Sequence, residues 1–254
     1  MRVPLIFDIK RASTADGPGL RTVIFFKGCN LDCFWCHNPE GKSMAPQMAF
    51  FADKCVSCGV CREICQKGES PCKGCGDCAA TCPAGARKRY GREYTAEELL
   101  DIILADKAYF EATGGGVTFS GGECMLFPDF LATLAEVCRN NGVSVAVDTA
   151  GNVPFSSFER VLPHTDLFLY DIKALDPDLH REGTGVDNRL ILDNLDRLIE
   201  KGARLHIRVP VIPDFNEGAE TARIEAFCRE RQLSYELLPY HAFGESKRDA
   251  LGRI

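Results

Sequence analysis

The chain has 254 residues, of which 45% are hydrophobic and 26% charged, and its formal net charge is −6. This composition excludes a disordered or collagen-like protein, and the acidic balance argues against a nucleic-acid partner. No apolar run approaches the ~20 residues needed to cross a bilayer, so no membrane span is predicted. The apolar stretch in residues 1–8 is too short for a signal peptide, and a charged residue follows it too soon.

Short apolar runs alternate with helical patterns along the chain. The runs are typical of parallel strands covered on both faces, and they lie at 23–26, 117–119, 143–147, 167–172, 205–211 and 235–238. Helical spacing is present at 95–110, 127–138, 156–162, 192–201 and 221–231. Thr95 with Glu98, and Ser156 with Glu159, predict helix starts with capping boxes. The alternation predicts an α/β fold, either a parallel sheet or an incomplete barrel.

Cysteine is the unusual residue, since the chain has 14 and eleven of them lie between Cys29 and Cys82. Without a signal peptide, this clustering predicts metal binding in a reducing cytoplasm rather than a disulfide framework. The stretch 51–92 has little hydrophobic periodicity and is dense in Cys, Gly, Lys and Arg. We expect it to be a separate domain, inserted after the first predicted strand into an α/β domain made of residues 1–50 and 93–254.

The first cysteine constellation is a C-x3-C-x2-C run formed by Cys29, Cys33 and Cys36. Three thiolates can hold three irons of a four-iron cluster, which leaves the fourth iron open to bind substrate. Structural metal sites instead close every position with protein ligands. The alternative is a zinc site completed by His37, which this unusual spacing disfavours.

Two further runs each have the spacing that a bacterial ferredoxin uses for a four-iron cluster. They are formed by Cys55, Cys58, Cys61 and Cys65, and by Cys72, Cys75, Cys78 and Cys82 before Pro83. In two-cluster ferredoxins the fourth cysteine of each run ligates the other cluster. We therefore expect Cys82 to complete the first set and Cys65 the second. Of the other cysteines, Cys138 and Cys228 are predicted core thiols, and Cys124 receives no role.

The first cysteine run, with Asp16-Gly17-Pro18-Gly19 and Arg21 upstream, resembles the radical SAM superfamily. Within it, residues 17–29 and Cys36-His37-Asn38 are very close to the signature of the activating enzymes of glycyl radical enzymes. The resemblance covers nearly the whole chain. It implies a partial (β/α)6 radical SAM barrel with an inserted ferredoxin-like domain that holds two [4Fe-4S] clusters, in addition to the catalytic cluster.

The resemblance also implies an activity and its partners. Such an oxidoreductase reductively cleaves S-adenosylmethionine (SAM) to a 5′-deoxyadenosyl radical, which abstracts hydrogen from a backbone glycine of a partner glycyl radical enzyme. A ferredoxin or flavodoxin is the expected electron donor. Two other functions stay open: a radical SAM enzyme that modifies a small molecule, and a non-catalytic iron–sulfur electron carrier. The carrier is disfavoured because it gains nothing from an iron without a protein ligand.

Carried over position by position, the resemblance assigns the catalytic cluster to the three cysteines of the first run. It places Trp35 beside the adenine of SAM. It matches Ser120, Gly121, Gly122 and Glu123 to the motif that binds the methionine amino group, and a carboxylate suits an ammonium. Taken alone, residues 120–123 are equally typical of a tight turn between a strand and a helix.

Four later positions are implied as further SAM contacts: Asp148, Lys173, Arg208 and His241. In the matching region at least one family member holds a monovalent cation, for which Asp148 and Asp171 offer hard oxygen ligands. The alternative is that loop backbone or Lys173 satisfies both carboxylates. Arg208 could bind the SAM carboxylate, since a guanidinium binds carboxylate in bidentate fashion.

Asp16 is the candidate catalytic residue for contacting the partner's glycine loop, with a plain Pro-Gly turn as the alternative. Only six strands are visible, so we expect a barrel open on one side, which suits an extended peptide better than an enclosed metabolite. Family members continue with a final helical segment after the sixth strand. This chain ends soon after it, at residue 254, so a truncated C-terminus is expected.

Overall fold

The computed structural model of the protein describes residues 3–65, 72 and 74–252. In chain order, its strands are β1 (Leu5–Ser13), β2 (Arg21–Phe26), β3 (Gln47–Phe50), β4 (Arg87–Tyr90), β5 (Arg92–Glu93), β6 (Gly116–Gly121), β7 (Ser144–Thr149), β8 (Leu167–Asp171), β9 (Leu205–Val211) and β10 (Ser234–Pro239). Its helices are α1 (Val60–Ile64), α2 (Asp77–Ala80), α3 (Ala96–Leu104), α4 (Lys107–Thr113), α5 (Pro128–Asn140), α6 (Phe155–Val161), α7 (Pro177–Thr184), α8 (Arg189–Glu200), α9 (Ala219–Glu230) and α10 (Phe243–Gly252).

The main sheet has eight strands in the order β10-β9-β8-β7-β6-β2-β1-β5. The six strands from β10 to β2 are mutually parallel, which confirms the six predicted strands. Helices follow these strands, so the chain forms an open α/β sheet of the partial-barrel type. In the part of the chain that is described, the edge strands β10 and β5 do not pair with each other.

Strand β1 was not predicted, because charged residues interrupt its apolar pattern. In the structure, most residues in the second half of this strand are exposed. It pairs antiparallel with β2 and extends the sheet beyond the predicted strands. The short strand β5 then pairs with β1. The chain therefore rejoins the main sheet at Arg92, the last residue assigned above to the insert.

The core lies between the sheet and its helices. Strands β2 and β6 are buried along almost their whole lengths, as expected for strands covered on both faces. Helix α5 buries Leu131 and Leu134 against the sheet, and each such side chain stabilises the fold by about 1.5–3 kcal/mol. Cys138 and Cys228 are fully buried in this core, which confirms their predicted structural role.

One of the two predicted capping boxes is confirmed. The Thr95 hydroxyl accepts from the Glu98 amide at 3.1 Å, and the Glu98 carboxylate accepts from the Thr95 amide at 2.9 Å. The prediction at Ser156 is wrong, since α6 begins one residue earlier after Pro154 and has no side-chain cap. Proline pre-sets the backbone at that point, so the serine hydroxyl is not needed.

The helix predicted over 95–110 is divided into α3 and α4. Asp106 lies between them, and its carboxylate binds the Arg11 side chain and the Thr22 hydroxyl of the neighbouring strands. This partly buried pairing holds Asp106 toward the strands at the junction, where its backbone leaves helical geometry. The tertiary contact therefore overrides a continuous helical pattern.

The cysteine-rich insert is joined to the sheet through a two-stranded antiparallel ladder of β3 and β4. The helices α1 and α2 between these strands are five and four residues long and bury no side chain. Residues 66–71 and 73 of the predicted insert lie outside the described residues. At the other end of the chain, the ten-residue helix α10 follows β10, so a helical segment does succeed the sixth parallel strand.

Candidate active site

The loop of the first cysteine run, residues 29–36, follows β2 at the carboxyl edge of the parallel strands. It has no regular structure, and hydrogen bonds to distant backbone carbonyls hold it instead. The Asp32 amide donates to Thr184 at 2.8 Å and the Phe34 amide to Gly183 at 3.2 Å. The Cys29 amide donates to the Lys42 carbonyl at 3.0 Å. The end of α7 and the chain after the loop therefore fix where the thiols lie.

All three thiols of this loop line one cavity of about 280 Å³. Burial raises the pKa of Cys29 to about 12 and that of Cys33 to about 11, and it also raises the pKa of Cys36. Lys173 and Lys42 oppose this rise at Cys33. Buried thiolates require compensating positive charge, and cluster irons supply it. Three converging soft donors therefore fit a four-iron cluster with one open iron.

The zinc alternative required His37 as a fourth ligand. Within residues 3–65, 72 and 74–252, no group of three or more His, Cys, Asp or Glu side chains is arranged to hold a single metal ion. Thiolates around a four-iron cluster lie further apart than the ligands of one ion, because each binds a different iron. The spacing of the loop therefore suits the cluster better than zinc.

The structure brings most of the predicted site residues to this cavity. Its lining includes Asp16, Cys29, Cys33, Trp35, Cys36, Gly121, Gly122, Asp148, Lys173 and Arg208. It also includes Ser120 of the predicted motif, and polar residues that the sequence analysis did not assign to SAM binding, among them His37, Lys42, Asp171 and Tyr240. The sequence feature that could have identified them was their position near cysteines or at strand ends. That position alone does not distinguish a residue that lines the cavity from its neighbours.

Glu123 differs from the expectation. Its carboxylate is fully buried and accepts hydrogen bonds from the Met125 amide at 3.0 Å, the Thr149 hydroxyl at 2.8 Å and the Ala150 amide at 2.9 Å. It does not belong to the cavity lining. Burial raises its pKa to about 7 despite these donors. The carboxylate therefore ties the end of β6 to the end of β7.

The two glycines before Glu123 are required by close backbone packing. A Cβ atom at Gly121, whose φ is +125°, would lie 2.3 Å from the backbone nitrogen and oxygen of Phe26. One at Gly122 would lie 2.3 Å from the Gly28 carbonyl oxygen. These glycines let the end of β6 press against the start of the cysteine loop, while their backbone still lines the cavity.

Asp148 and Arg208 form a buried pair across β7 and β9. The guanidinium lies 3.4 Å from the Asp148 carboxylate and 3.1 Å from that of Glu236, while Ser120 donates to Asp148 at 2.7 Å. Burial raises the pKa of Asp148 to about 6, although Arg208 opposes the rise. Burial alone would lower the pKa of Arg208, but Asp148 and Asp171 together raise it.

Lys173 lies at the end of β8, where its ammonium donates to Asp171 at 2.6 Å. Burial alone would lower its pKa, but Asp171 and the Cys33 thiol raise it above its ordinary value. The lysine is therefore held as a cation beside the thiols. The alternative that Lys173 satisfies a strand-end carboxylate is correct for Asp171.

Trp35 and His241 are placed differently from each other. The Trp35 ring is buried, with its centroid 4.6 Å from that of Phe215, and it forms one wall of the cavity. His241 is exposed, stacks on Phe243 with centroids 5.5 Å apart, and does not line the cavity. The neighbouring Tyr240 reaches the lining instead, because successive side chains past a strand end point in different directions.

Asp16 lies at the cavity in the loop between β1 and β2. Its carboxylate accepts from the Ser13 hydroxyl and is 3.6 Å from the Lys10 ammonium. Its carbonyl accepts from the Thr118 hydroxyl at 2.6 Å. These contacts hold the turn against the sheet, and the side chain still borders the cavity. Cys124 does not border it, since its buried thiol contacts the Phe119 carbonyl at 3.4 Å.

With this arrangement in view, known proteins identify the family. Residues 23–223 match the Radical SAM superfamily. The chain is 39% identical to the trans-4-hydroxy-L-proline dehydratase activating enzyme of Clostridioides difficile, over 98% of this chain and 88% of that protein. It is 37% identical to the choline trimethylamine-lyase activating enzyme of Oleidesulfovibrio alaskensis, over 99% of this chain and 88% of that protein. The chain belongs to the glycyl radical enzyme activating enzymes of the radical SAM superfamily.

Membership of this family makes the protein a radical SAM oxidoreductase that uses SAM and a [4Fe-4S] cluster, with a glycyl radical enzyme as its protein partner. The solved structure of Streptococcus suis SuiB bound to precursor peptide SuiA has a TM-score of 0.57 at 14% identity. The match covers 88% of this chain and 39% of the SuiB chain, and it shows that the two share a fold. No helix in the described ranges is long and apolar enough to cross a membrane.

The cysteines of the insert are less buried than those of the catalytic loop. Five of them are exposed, namely Cys55, Cys58, Cys65, Cys72 and Cys75. Cys61, Cys78 and Cys82 are half-buried. Burial raises the pKa of Cys78, and the nearby thiols of Cys72, Cys65 and Cys75 raise it further. Cys65, the last cysteine of the first run, therefore lies close to the second run.

Proposed function

We propose that this activating enzyme generates its radical in the 280 Å³ cavity and delivers it to a backbone glycine of the partner. The observation that carries the proposal is the shared lining of that cavity. It combines the three cysteines of the catalytic loop with charged side chains from the parallel strands and the segments that follow them. In open parallel sheets, ligands bind at the carboxyl ends of the strands. A site of this kind can hold a cluster and a second ligand next to each other.

The charges of the lining suit the zwitterionic end of SAM. Three carboxylates, from Asp16, Asp148 and Asp171, face the cavity, as do three cations, from Lys42, Lys173 and Arg208. An ammonium and a carboxylate on one ligand can each meet an opposite charge there. Arg208 is our candidate for the SAM carboxylate, with Asp148 keeping the guanidinium in place. Glu123 contributes indirectly, by holding the glycine turn whose backbone lines the site.

The remaining roles follow from the cavity walls. Cys29, Cys33 and Cys36 hold the catalytic cluster, and the apolar face of Trp35 forms the wall for the adenine. When bound, the cluster and SAM supply a 5′-deoxyadenosyl radical that removes hydrogen from carbon. Residues of the chain position the target and keep other hydrogen donors away. His241 lies outside the cavity lining, and its role as a SAM contact stays a prediction.

We further propose two auxiliary [4Fe-4S] clusters in the insert. Cys82 would complete the set of the first run and Cys65 that of the second, and the closeness of Cys65 to Cys78 supports the crossed pairing. These clusters would relay electrons from a ferredoxin or flavodoxin. Strand β4 supports an acidic donor, because it carries three consecutive basic residues at 87–89. A reducing compartment, the cytoplasm, suits this chemistry.

A monovalent cation beside Asp148 and Asp171 stays a prediction. Both carboxylates border the cavity, and each already has one cationic partner, Arg208 or Lys173. Activity assays in potassium and in choline buffers of equal ionic strength test it. A site of this kind gives higher turnover in potassium, and equal turnover in both buffers contradicts it.

The target glycine is expected in an extended loop of the partner. The sheet does not close between β10 and β5 in the described part of the chain, so one side of the cavity stays open. Backbone glycine is a suitable target because it has no side chain to block approach, and its flanking amides stabilise the radical. Asp16 borders the cavity and is our candidate for contacting that loop.

The decisive experiment uses the reconstituted, reduced protein with SAM and candidate glycyl radical enzymes under anaerobic conditions. We expect 5′-deoxyadenosine, a glycine-centred doublet in the partner's EPR spectrum, and partner activity. A partner variant with alanine at the target glycine is the matched control and gives no doublet. SAM cleavage that modifies a metabolite and produces no protein radical would favour the small-molecule enzyme. Absence of 5′-deoxyadenosine would favour the electron carrier.

Metal analysis tests the cluster count independently of activity. Three four-iron clusters require about 12 irons and 12 sulfides per chain. Replacing Cys58 together with Cys61, and Cys75 together with Cys78, by alanine should lower this to about four, because each pair of changes leaves one auxiliary cluster with only two thiolate ligands. Zinc in place of iron, or about four irons in the unmodified protein, contradicts the proposal.

A further inference from the structure

Helix α10 lies between the catalytic cysteine loop and the ladder that carries the insert. At its start, Gly244 packs on the loop so closely that a Cβ atom there would lie 2.2 Å from the Cys36 carbonyl oxygen. Near its end, Ala250 is buried in an apolar cluster with Ala49 of β3 and Tyr90 of β4. One helix therefore contacts both cysteine-rich parts of the molecule.

Lys247, in the middle of α10, binds the segment that directly follows Cys36. Its ammonium donates to the His37 carbonyl at 3.1 Å and to the Asn38 side-chain oxygen at 3.1 Å. It also lies 2.7 Å from a carboxylate oxygen of Glu40. Three oxygens from one short segment thus converge on a single cation, whose three N–H groups can serve all of them.

Glu40 makes this contact unusually important for the segment. Its side chain is 3% exposed, and its second carboxylate oxygen is buried without a hydrogen-bond partner among the described residues. The buried Lys27 ammonium donates to the Glu40 backbone carbonyl at 2.5 Å, not to the carboxylate. Loss of Lys247 would leave a buried, poorly paired carboxylate, which the segment can hydrate only by moving outward.

Arg248 adds a second attachment one residue further on. Its guanidinium donates to the Phe34 carbonyl at 2.7 Å, within the cysteine run itself. The side chains of Lys247 and Arg248 therefore hold the backbone on both sides of Cys36, while Gly244 packs on the Cys36 carbonyl.

We propose that Lys247 is a positioning residue for the catalytic cluster. By holding residues 37–40 against α10, it fixes the orientation of the Cys36 thiol at the cavity. Because α10 also packs on the insert ladder, it keeps the loop in one position relative to the insert. This inference rests on the proposed ligation of the cluster by Cys36, and the experiment is arranged so that the two can fail separately.

The test compares Lys247→Met, Lys247→Arg and the unmodified protein after anaerobic reconstitution. Lys107→Met is the matched control, since Lys107 is also a helix lysine paired with a glutamate, Glu111 at 3.7 Å, but on an exposed surface. Two readouts are used. The first is hydrogen exchange of residues 36–42, with β7 and β8 as internal references. The second is the change that SAM produces in the EPR spectrum of the reduced protein, which reports only on a cluster with an open iron.

In Lys247→Met we expect exchange of residues 36–42 to rise at least about tenfold, the effect of losing one hydrogen bond to a charged group. The SAM-dependent EPR change should weaken or broaden. Lys247→Arg should restore both toward the unmodified protein, and Lys107→Met should match it throughout. Arg248→Met, which leaves Lys247 in place, should raise exchange in 33–36 with a smaller effect.

Unchanged exchange at 36–42 with an unchanged EPR response in Lys247→Met would overturn the inference. So would equal increases at 36–42 and in β7 and β8, since these would indicate general destabilisation rather than positioning. If the unmodified protein itself shows no SAM-dependent EPR change, the proposed cluster ligation fails instead, which is a distinguishable result.

Discussion

The catalytic loop and the insert, which we propose bind the same kind of cofactor, have opposite structural support. In the loop, backbone hydrogen bonds to Thr184, Gly183 and Lys42 set the position of thiols whose pKa burial has raised. In the insert, five cysteines are exposed, and helices of five and four residues begin without side-chain caps and bury nothing. Helices this short are unstable alone. We therefore expect protein packing to position the catalytic cluster, and the insert to depend on its proposed auxiliary clusters for structure.

The largest effect is expected from a substitution in the catalytic loop, the region that protein packing supports. Cys33→Ala should abolish SAM cleavage, because two thiols of the loop no longer hold a cluster with one open iron. Chromatographic assay of 5′-deoxyadenosine, with dithionite as reductant, measures the loss. The loop's backbone bonds remain, so hydrogen exchange of β7 and β8 should not change. Residual cleavage at the unmodified rate would refute the assignment of this cysteine.

The equivalent change in the insert should have a conditional effect. Cys58→Ala should damage one auxiliary cluster, and adding Cys61→Ala should remove it, while dithionite-driven SAM cleavage stays in place, since the catalytic loop is held independently. With reduced ferredoxin or flavodoxin as donor, turnover should fall sharply because the relay is broken. Unchanged turnover with the protein donor, in a variant shown by iron analysis to lack the cluster, contradicts the relay.

Cluster removal separates the two regions by stability. After chelation, we expect trypsin to cut after Lys54 or Arg62 about tenfold faster or more, because both residues are exposed and the segment that contains them loses its support. The parallel sheet, with its own buried core, should survive as a protected fragment. Mass spectrometry of timed digests identifies the cuts. Equal protection of the insert with and without its clusters would show that packing alone maintains it.

Glu123, which lies next to the catalytic loop, should make the free energy of unfolding depend on pH. Burial raises its pKa from 4.5 to about 7, so the native state binds this proton more tightly than the unfolded chain does. The contribution of Glu123 to the free energy of unfolding is therefore largest below pH 4.5. It declines by about 3 kcal/mol as the pH rises to 7. Subtracting the unfolding free energies of Glu123→Gln from those of the unmodified protein should reveal this decline. Glu136→Gln, on the exposed face of α5, is the control, and a flat difference curve contradicts the assignment.

The smallest expected effect concerns helix starts. Thr95→Ala should destabilise the sheet domain by about 1 kcal/mol, because α3 loses a side-chain cap of a kind that the insert helices lack. Ser156→Ala is the matched control, since this exposed serine precedes a glutamate at the same spacing but forms no cap. Thermal unfolding measures both. Equal destabilisation by the two variants would mean that the sequence pattern, and not the observed bond, carries the effect.

Local sequence patterns predicted the parallel strands, the core thiols and the cap at Thr95, because each depends on residues near one another in the chain. The helix predicted across Asp106 was wrong because distant Arg11 and Thr22 bind that carboxylate. Strand β1 was missed because its pairing with β2, rather than its own apolar pattern, makes it a strand.

The same division applies to the site. Sequence alone predicted which cysteines belong together, since ligand spacing is read along the chain, and it identified the family through contiguous motifs. Only the tertiary structure decided which strand-end groups share the cavity, that Glu123 faces the protein interior, and that α10 holds the loop at Cys36. Those facts depend on side-chain directions and on contacts between residues as much as 214 positions apart. Local sequence cannot encode such contacts, because they arise only when the sheet brings distant segments together.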